Sequence, residues 1–464
     1  MGSTNGAASR SDGLVLFGAT GDLARKKIFP AVYEIAARTE PVPVVGVASS
    51  ELSSDELRER MRSSILAAHP EADARVLDEL CARTSYVSGD YREASTYEQL
   101  KEELSPCSSP LFYLAIPPAL FDDVVTGLAK VGLNEHARVV VEKPFGRDSA
   151  SAAELNDVLH QAFPEDAVFR IDHFVGKESV ESLLVFRFAN AVLEPVWNNR
   201  YISHVQLTMA EDFGVEGRGK FYESVGALRD VVQNHLLQIV ALLGMEPPVD
   251  LSADRLHDER VKLFRQVRAV DPGDVVRGQY RGYVDEAGVA GGSDVETFVA
   301  LRFWIDSWRW AGVPFLIRAG KCLAGTATEA VVEFKQPPRL LFPQRGGISH
   351  PNHLRFRLGR DDGVTLTLQA KAPGDRMASE PVALDVSYEA ALGHRQDAYE
   401  RLLDDAMTGD TTRFGREDSL MEQWRIVDRV LEDPAPVELY ARGSWGPEAT
   451  DRLLPEGATW YEPR

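Results

Sequence analysis

Short β-branched runs alternate with longer amphipathic segments between residue 13 and about residue 150. The runs LVLF, VPVVGVA, LFYLAI and RVVVEK have the composition of buried strands. The segments LARKKIFPAVYEIAAR and SSDELRERMRSSILAA, which lie between such runs, have the periodicity of helices. Strands that alternate with helices form a parallel sheet with helices on its faces. We therefore predict an α/β domain over residues 13–180, preceded by a disordered N-terminus, residues 1–12.

The pattern changes after about residue 180. Longer segments of alternating hydrophobicity are now separated by turn-rich stretches and a few helices, as in YISHVQLTMAED, TFVALRFWID, EAVVEFK, HLRFRLG and VTLTLQAK. Such alternation is typical of antiparallel strands with one covered face. We predict a second, larger α+β domain over residues 181–464, with a big, mainly antiparallel sheet covered by helices.

The charge balance restricts the partners of this chain. It has 71 acidic and 51 basic residues, a formal charge of -20, which argues against nucleic acid or an anionic membrane as partner. An anionic ligand would need a local cluster of lysines. No apolar run approaches the ~20 residues that a membrane-spanning helix needs. The three cysteines, Cys81, Cys107 and Cys322, have no metal-like spacing, so we predict no metal site, no disulfide framework and a cytoplasmic location.

A glycine-containing turn follows the first predicted strand. LVLF runs directly into Gly18-Ala-Thr-Gly21-Asp-Leu-Ala24, and a helix follows. Glycines at this place let the backbone approach a pyrophosphate at the helix N-terminus, as in Rossmann-type dinucleotide-binding sheets. Two glycines between a strand and a helix are also ordinary turn chemistry, so the strand that precedes them carries much of the argument.

Two further stretches contain candidate cations. Lys143 follows a predicted strand in VVVEKPFG, where it would face a bound cofactor, although an isolated lysine is more often simply solvated. In Arg170-Ile-Asp172-His173-Phe-Val-Gly-Lys177, the histidine and the second lysine are four residues apart. On a helix they would share a face and could bind one phosphate. A surface ion-pair patch is the alternative.

His235 lies in a predicted helix over residues 228–243, on a stripe with four apolar residues: Leu228, Val232, Ile239 and Leu242. A histidine on such a stripe is more often a core residue than a catalyst. The neighbouring positions are polar, however: Arg229, Asp230, Gln233 and Asn234. Burying so many polar groups requires partners or a polar cavity, and such a cavity is where acid–base chemistry takes place.

At these residues the sequence resembles the glucose-6-phosphate dehydrogenase family, over nearly the whole chain. Ten segments match family segments in the family's order: GATGDLARKKIFPAVY, YVSGDY, FYLAIPP, VVVEKPFGRD, RIDHFVGKE, LLVFRFAN, LEPVWN, GALRDVVQNHLLQ, RAGK and SWGP. The resemblance implies oxidation of glucose 6-phosphate at C1 to the 6-phosphogluconolactone, the entry step of the pentose phosphate pathway, with NADP or NAD as hydride acceptor. It also implies a homodimer or a dimer of dimers formed through an exposed sheet face.

The resemblance assigns a role to each matching residue. His235 corresponds to the base that takes the proton from the sugar O1, which suits an imidazole because it titrates near neutral pH. Asp172 corresponds to the carboxylate that orients this base. The phosphate ligands correspond to His173 and Lys177, the acceptors of sugar hydroxyls to Glu211 and Asp230, and the cations beside substrate and cofactor to Lys143 and Lys321. The cofactor loop corresponds to Gly18, Thr20, Gly21, Asp22 and Leu23, with Asp90 close to the cofactor.

Three positions depart from the family pattern. The family carries an arginine for the NADP 2′-phosphate after the second strand, where this chain has Ser49 in Gly46-Val-Ala48-Ser49-Ser50. Serine cannot make the bidentate contact of a guanidinium, so we expect NAD to be used at least as well as NADP. Phe174 replaces a tyrosine beside the phosphate-binding histidine. Thr326 replaces a basic residue at the sugar end, so the hexose preference could be shifted.

Three alternatives remain open on the sequence. One is an enzyme of the glucose–fructose oxidoreductase type, which shares the EKP motif and in which Lys143 would be catalytic. The second is a dehydrogenase of a related hexose phosphate. The third is a non-catalytic paralogue that binds a dinucleotide as a sensor, although such a protein would have no chemical need for Asp172, His235 and three lysines together.

Overall fold

The computed structural model describes residues 10–343, 351–359, 361–393 and 395–463. The chain divides into two compact units. Unit 1 consists of Met1–Lys177, Val249–His257 and Gln396–Met421, and unit 2 of Glu178–Pro248, Asp258–Arg395 and Glu422–Arg464. Most of the predicted disordered N-terminus lies outside the described residues. Of its last three, Ser11 donates its N–H to the carbonyl of Met407 at 2.7 Å within unit 1.

The strands of the described residues, in chain order, are β1 Gly13–Phe17, β2 Val44–Ala48, β3 Thr84–Ser88, β4 Pro110–Leu114, β5 Arg138–Val141, β6 Val168–Arg170, β7 Ile202–Ala210, β8 Val275–Tyr280, β9 Phe298–Trp304, β10 Pro314–Gly320, β11 Ala327–Phe334, β12 His353–Arg357, β13 Gly363–Lys371, β14 Ser379–Ser387 and β15 Val437–Tyr440. The α-helices are α1 Phe29–Ala36, α2 Ser54–Ala68, α3 Ala74–Ala82, α4 Ala94–Glu103, α5 Phe121–Lys130, α6 Ser149–His160, α7 Glu178–Phe188, α8 Gly219–Ala227, α9 Leu237–Gly244, α10 Ala253–Gln266, α11 Tyr388–Leu392, α12 Ala398–Thr408 and α13 Glu417–Glu432.

Two π-helices, Ala24–Ile28 and Leu228–Leu236, directly precede α1 and α9. We call them wide helices, because their hydrogen bonds span five residues instead of the four of an α-helix. Short 3₁₀ helices are Pro118–Leu120, Glu165–Ala167, Glu194–Val196, Pro272–Asp274, Tyr283–Asp285 and Glu448–Leu453. None of the helices in the described part of the chain is both long and apolar enough to span a membrane.

Unit 1 is built on the parallel sheet that the sequence predicts. Its strand order is β3-β2-β1-β4-β5-β6, and every neighbouring pair is parallel. Strands β1, β2, β4 and β5 are buried along their whole length, as expected for a sheet covered on both faces. The order reverses between β1 and β4, the switch point at which such sheets bind nucleotides. The predicted Rossmann-type fold is therefore confirmed.

The core of unit 1 includes residues from a distant part of the sequence. Helix α12 contributes buried side chains, among them Leu402 and Ala406, to the cluster formed by α1, α2 and the sheet. Phe414 meets Phe169 of β6 edge to face, with ring centroids 4.8 Å apart. The Gln396–Met421 segment is therefore an integral part of unit 1.

Unit 2 contains the large, mainly antiparallel sheet that the sequence predicts. Its order is β14-β13-β12-β11-β7-β10-β9-β8-β15, and only β7–β10 and β8–β15 pair in parallel among the described strands. The five segments with predicted alternation form β7, β9, β11, β12 and β13. The central strands are buried, whereas β14, at one edge, is largely exposed.

A glycine kink fixes the start of the second wide helix. Gly226 has φ +61°, and an added Cβ would lie 2.5 Å from Oε1 of the buried Glu296. That carboxylate accepts the N–H of Leu228 at 3.1 Å and pairs with the Arg277 guanidinium at 2.8 Å. The region predicted as one helix over 228–243 is thus a wide helix followed by α9, anchored at its first residue by a buried ion pair.

We expect Gly226→Ala to destabilise the protein by more than the cost of placing alanine at a positive φ. A left-handed φ costs an L residue about 1–2 kcal/mol, and here the methyl group would also displace Glu296. Gly217→Ala is the matched control, since Gly217 has φ +79° but no atom within 4 Å of an added Cβ. Denaturant unfolding of both variants should give a clearly lower midpoint for Gly226→Ala, and equal midpoints would contradict this account.

Candidate functional site

The first loop of unit 1 has the geometry of a dinucleotide cradle. Gly18 follows β1 with φ +79°, and an added Cβ would lie 2.3 Å from the Ala115 carbonyl oxygen, so only glycine fits. The N–H of Gly21 donates to the Gly18 carbonyl at 2.9 Å, and the wide helix Ala24–Ile28 begins three residues later. Compact backbone at a helix start fits a pyrophosphate, whose charge helix N–H groups stabilise.

Two tyrosines of the YVSGDY segment position the loops that follow β1 and β2. The Tyr91 hydroxyl accepts the N–H of Gly18 at 3.0 Å and donates to the Val47 carbonyl at 3.2 Å. The Tyr86 hydroxyl donates to the Ser50 carbonyl at 2.7 Å. Burial raises the pKa of Tyr91 to about 12, which keeps it a neutral donor. We did not single out either tyrosine from the sequence, although the motif that contains them was visible.

The remaining predicted cofactor residues lie at the same edge of the sheet or close to it. Thr20 and Ser50 hydroxyls are 3.4 Å apart, next to the exposed Ser49. Asp22 is exposed and accepts hydrogen bonds from two basic side chains of the first helix, which lower its pKa. Leu23 packs against the core. Asp90 follows β3 and accepts the N–H of the second residue after it at 3.0 Å.

Lys143 follows β5 as predicted, and the glutamate before it is the centre of a buried network. Tyr113 donates to Oε1 of Glu142 at 2.6 Å, and Tyr399 donates a second hydrogen bond. Burial raises the pKa of the Glu142 carboxyl, while these two hydroxyls and the charge of Lys143 oppose the shift and Asp172 adds to it. Tyr399 comes from α12 and could not be linked to this site from sequence alone.

The segment with Asp172, His173 and Lys177 forms a turn, so the helix assumed for it is wrong. Residues 173–176 are turn residues, and α7 begins only at Glu178. Asp172 Oδ1 accepts the N–H of Phe174 at 2.9 Å, which is the local bond that favours the turn. The His173 ring stacks on the Tyr399 ring, with centroids 6.2 Å apart.

Lys177 is held over an aromatic ring. Its Nζ lies 3.5 Å from the centroid of the Phe174 ring, a contact that suits a desolvated cation. Burial lowers the pKa of the Lys177 ammonium, with Asp172 and Asp397 opposing the shift and Lys27 adding to it. Phe174, one of the three departures, therefore packs against the predicted phosphate ligand.

In unit 2 a parallel strand pair brings two predicted residues together. Gly320 of β10 lies opposite Ala210 of β7, so the next residues, Lys321 and Glu211, leave the sheet side by side. Lys321 Nζ donates to Glu211 Oε2. Thr326, the third departure, accepts the N–H of the adjacent Asp212 at 3.0 Å and donates to its carboxylate at 2.5 Å.

Tyr222 connects this ion pair with Asp230. Lys321 Nζ lies 5.3 Å from the centroid of the Tyr222 ring. Burial raises the pKa of the Tyr222 hydroxyl well above its ordinary range, and Asp230 and Glu211 add to the shift. Glu211, Asp230 and Lys321 therefore all lie near Tyr222, a buried residue that sequence reasoning did not identify.

His235 is 1% exposed and lies in the wide helix Leu228–Leu236. Its N–H donates to the Asn234 side-chain oxygen at 2.6 Å. The side chains of Gln233 and Gln238 are buried as well, and Nε2 of Gln233 has no hydrogen-bond partner among the described residues. This polar interior is what the sequence predicts around His235. Wide helices occur frequently at functional sites.

The structure thus places the predicted residues in two groups. Unit 1 contains the cofactor loop, Lys143, Asp172, His173 and Lys177, and unit 2 contains His235, Glu211, Asp230 and Lys321. Asp172 and His235 belong to different units, so the orientation of the base by this carboxylate stays a prediction. Cys81, Cys107 and Cys322 are free cysteines.

Comparison with known proteins identifies relatives over the whole chain. Two family models match: "Glucose-6-phosphate dehydrogenase, NAD binding domain" over residues 15–182, and "Glucose-6-phosphate dehydrogenase, C-terminal domain" over residues 184–461. Glucose-6-phosphate 1-dehydrogenase 1 of Mycobacterium tuberculosis is 46% identical over 460 residues, covering 99% of this chain and 98% of the relative.

Two solved structures are similar throughout. The crystal structure of glucose-6-phosphate 1-dehydrogenase from Mycobacterium avium is 46% identical with a TM-score of 0.89, covering 98% of this chain and 99% of the other. A glucose-6-phosphate dehydrogenase in complex with its substrate glucose 6-phosphate is 35% identical with a TM-score of 0.89, covering 98% of this chain and 100% of the other.

Proposed function

Since the chain belongs to the glucose-6-phosphate dehydrogenase family, we propose that it oxidises glucose 6-phosphate at C1 to 6-phosphoglucono-1,5-lactone. The observation that carries this conclusion is the match of both halves of the chain to that one family, including a structure that holds the substrate. The matches favour neither the oxidoreductase of the glucose–fructose type nor a hexose phosphate other than glucose 6-phosphate, and they do not favour a non-catalytic paralogue.

In this proposal His235 is the catalytic base. Its burial in a polar interior supports the assignment, because a base there is shielded from bulk water and its neighbours can hold the imidazole in one orientation. His235 takes the proton from O1 of the sugar as the C1–O1 bond becomes a carbonyl. A nicotinamide bound at the loop after β1 would supply the acceptor for the hydride that leaves C1. Asp172 is the proposed orienting carboxylate.

Four residues are proposed to bind the phosphate and the sugar hydroxyls. Lys177 and His173 bind the phosphate, which the desolvated position of the Lys177 ammonium supports, since an ion pair strengthens where water is excluded. Glu211 and Asp230 accept hydrogen bonds from sugar hydroxyls. Their common neighbour Tyr222 supports this pairing.

The two remaining lysines complete the positive charge that an anionic substrate requires from this acidic chain. Lys321 is proposed to lie beside the substrate, with Glu211 holding its ammonium in place. Lys143 is proposed to lie beside both substrate and cofactor, which its place two residues after the end of β5 supports.

A nicotinamide dinucleotide is the cofactor type of this family, and we propose that both NAD and NADP are used. The cofactor-binding residues are Gly18, Thr20, Gly21, Asp22, Leu23, Ser49, Asp90 and Lys143. The exposed Ser49 supports dual use, because serine and not arginine stands directly after β2.

We further propose a homodimer, or a dimer of such dimers, located in the cytoplasm. The exposed side chains of Val382, Leu384 and Val386 support the dimer, since they alternate along the edge strand β14 and share one face. We retain residues 13–180 as the dinucleotide domain and 181–464 as the substrate and dimerisation domain. The ranges of the two family models support this boundary.

His235→Asn should lower kcat by roughly 10²–10⁴-fold, as expected for a lost general base. The dissociation constant for coenzyme should change little, because the substitution leaves the loop after β1 intact. His204→Asn serves as control: His204 is also buried, in β7, and burial lowers its pKa to about 4. A loss of less than tenfold in folded His235→Asn protein would reduce His235 to a structural residue.

As the pH rises, we expect substrate binding to weaken at a lower pH than it would with an ordinary lysine at position 177. The pKa of Lys177 is lowered, so the ammonium loses its charge below the pH at which an ordinary lysine titrates, and phosphate binding declines with it. Lys177→Arg keeps its charge because a guanidinium titrates only above pH ~12. We therefore expect the KM of Lys177→Arg for glucose 6-phosphate, divided by the KM of wild type, to decrease as the pH is raised from about 7 to about 10. A constant ratio would contradict the role of Lys177.

The coenzyme assignment and the hexose are tested together by a kinetic matrix. We expect kcat/KM for NAD to equal or exceed that for NADP with glucose 6-phosphate, and glucosamine 6-phosphate and free glucose to be much poorer substrates. A preference for NADP of about a hundredfold, some 2.7 kcal/mol, would refute dual use. Equal activity on free glucose would favour the glucose–fructose oxidoreductase type instead.

A further inference from the structure

Dual use of coenzymes requires a cation for the 2′-phosphate of NADP, and the segment after β2 does not supply one. In Rossmann-type sheets the adenosine ribose lies beyond the carboxyl end of the second strand, where an acidic residue selects NAD or a nearby arginine accommodates NADP. In this chain β2 is followed by Ser49 and Ser50. The cation must therefore come from another element of unit 1.

A cavity of about 540 Å³ adjoins the dinucleotide loop of unit 1. It is lined on one side by Thr20 and Gly21 of the loop, and on the other by residues of α2, among them Arg60 and Ser63. All of these residues belong to unit 1. The cavity therefore continues the proposed cofactor site toward α2.

Among the basic residues that line this cavity, Arg60 differs from the two on the first wide helix. Arg25 and Lys26 both contact the Asp22 carboxylate, at 3.2 Å and 3.0 Å. Within the described part of the chain, the Arg60 side chain has neither a hydrogen bond nor an ion pair, and it is exposed. Its guanidinium keeps all its donors available for an anion.

Arg60 also lies near the loop after β2. Burial raises the pKa of the Tyr86 hydroxyl, and the charge of Arg60 opposes that shift, so the two groups are close enough to interact. The Tyr86 hydroxyl in turn donates to the Ser50 carbonyl at 2.7 Å, and the Ser50 hydroxyl is 3.4 Å from that of Thr20. These contacts relate the guanidinium to the loop where the ribose is expected.

We propose that Arg60, on α2, binds the 2′-phosphate of NADP and thereby determines how well this chain uses NADP relative to NAD. A guanidinium on the helix after β2 has the same donor geometry for a bidentate contact with a phosphate as an arginine placed directly after the strand. The proposal rests on the proposed function, because it assumes a dinucleotide on the loop after β1.

Glu59 acts in the opposite direction. It also lines the cavity, and its Oε1 accepts a hydrogen bond from the Ser63 hydroxyl at 3.3 Å. A carboxylate beside a phosphate repels it, whereas a carboxylate beside a free ribose hydroxyl can accept a hydrogen bond. The neighbouring Arg60 and Glu59 thus oppose each other in the selection of the two coenzymes.

The test uses fragments that contain only the adenosine half of the coenzymes. Binding of 2′,5′-ADP and of 5′-AMP to the full-length protein is measured by calorimetry for wild type, Arg60→Ala, Arg60→Lys and Glu59→Gln. Arg60→Ala should raise the dissociation constant of 2′,5′-ADP about tenfold and that of 5′-AMP less than about twofold. Arg60→Lys should give a dissociation constant for 2′,5′-ADP between those of wild type and Arg60→Ala. Glu59→Gln should lower this dissociation constant about two- to threefold.

Arg62→Ala is the matched control. Arg62 lies on the same helix, and its guanidinium pairs with Asp78 at 2.7 Å, so the substitution removes the same charge without removing a lining residue of the cavity. The proposal is overturned if Arg60→Ala affects both fragments equally or neither, or if Arg62→Ala has the same effect as Arg60→Ala. Fragment binding involves no hexose, so it distinguishes these outcomes from failure to oxidise glucose 6-phosphate.

Discussion

Parallel pairing of strands is the constraint on which the arrangement of both units depends. Neighbouring parallel strands end at a common edge, so residues that follow them in sequence become neighbours in space. In unit 1 this rule brings Gly18, Ser49 and Lys143 to one edge of the sheet. In the mainly antiparallel sheet of unit 2, one of the two parallel pairs, β7–β10, places Glu211 beside Lys321. Both units therefore use the same geometry to assemble polar groups from distant parts of the chain.

Much of the fold could be predicted from the sequence, because buried strands and amphipathic helices have a strong local pattern. Two of the strands that were not predicted, β3 and β6, lack that pattern. Strand β6 has only three residues, and β3, at the edge of its sheet, alternates weakly in burial. The turn that contains His173 was mistaken for helix, since the hydrogen bond from Phe174 to Asp172 that favours it is not a periodic signal. The wide helix around His235 has an apolar stripe that an α-helix would share, so sequence periodicity cannot distinguish the two.

The candidate site residues were found from motifs and from the family resemblance, whereas the groups that hold them were not. Tyr86 and Tyr91 fix two loops, Tyr399 reaches the glutamate beside Lys143, and Tyr222 lies among the sugar-side carboxylates. The hydroxyls of Tyr86, Tyr91 and Tyr399 form hydrogen bonds to segments far away in sequence, and the Tyr222 ring lies 5.3 Å from Lys321 Nζ. A lone tyrosine is compatible with a core or a surface position, so its sequence context does not reveal such a bond. Tertiary contacts of this kind become visible only in the structure.

Helix α12 has a consequence for the synthesis of this protein. Unit 1 begins at the N-terminus, but the segment that completes its core, Gln396–Met421, emerges from the ribosome roughly 220 residues after Lys177. In the folded protein, Leu402 and Ala406 of this segment cover an apolar surface of unit 1 that includes residues of α1. Until the segment has been made, that surface lacks these contacts. A nascent chain in that state exposes an aggregation-prone face for the whole time needed to translate residues 178–395. The nucleotide-binding unit can therefore reach its native packing only after the Gln396–Met421 segment has been translated.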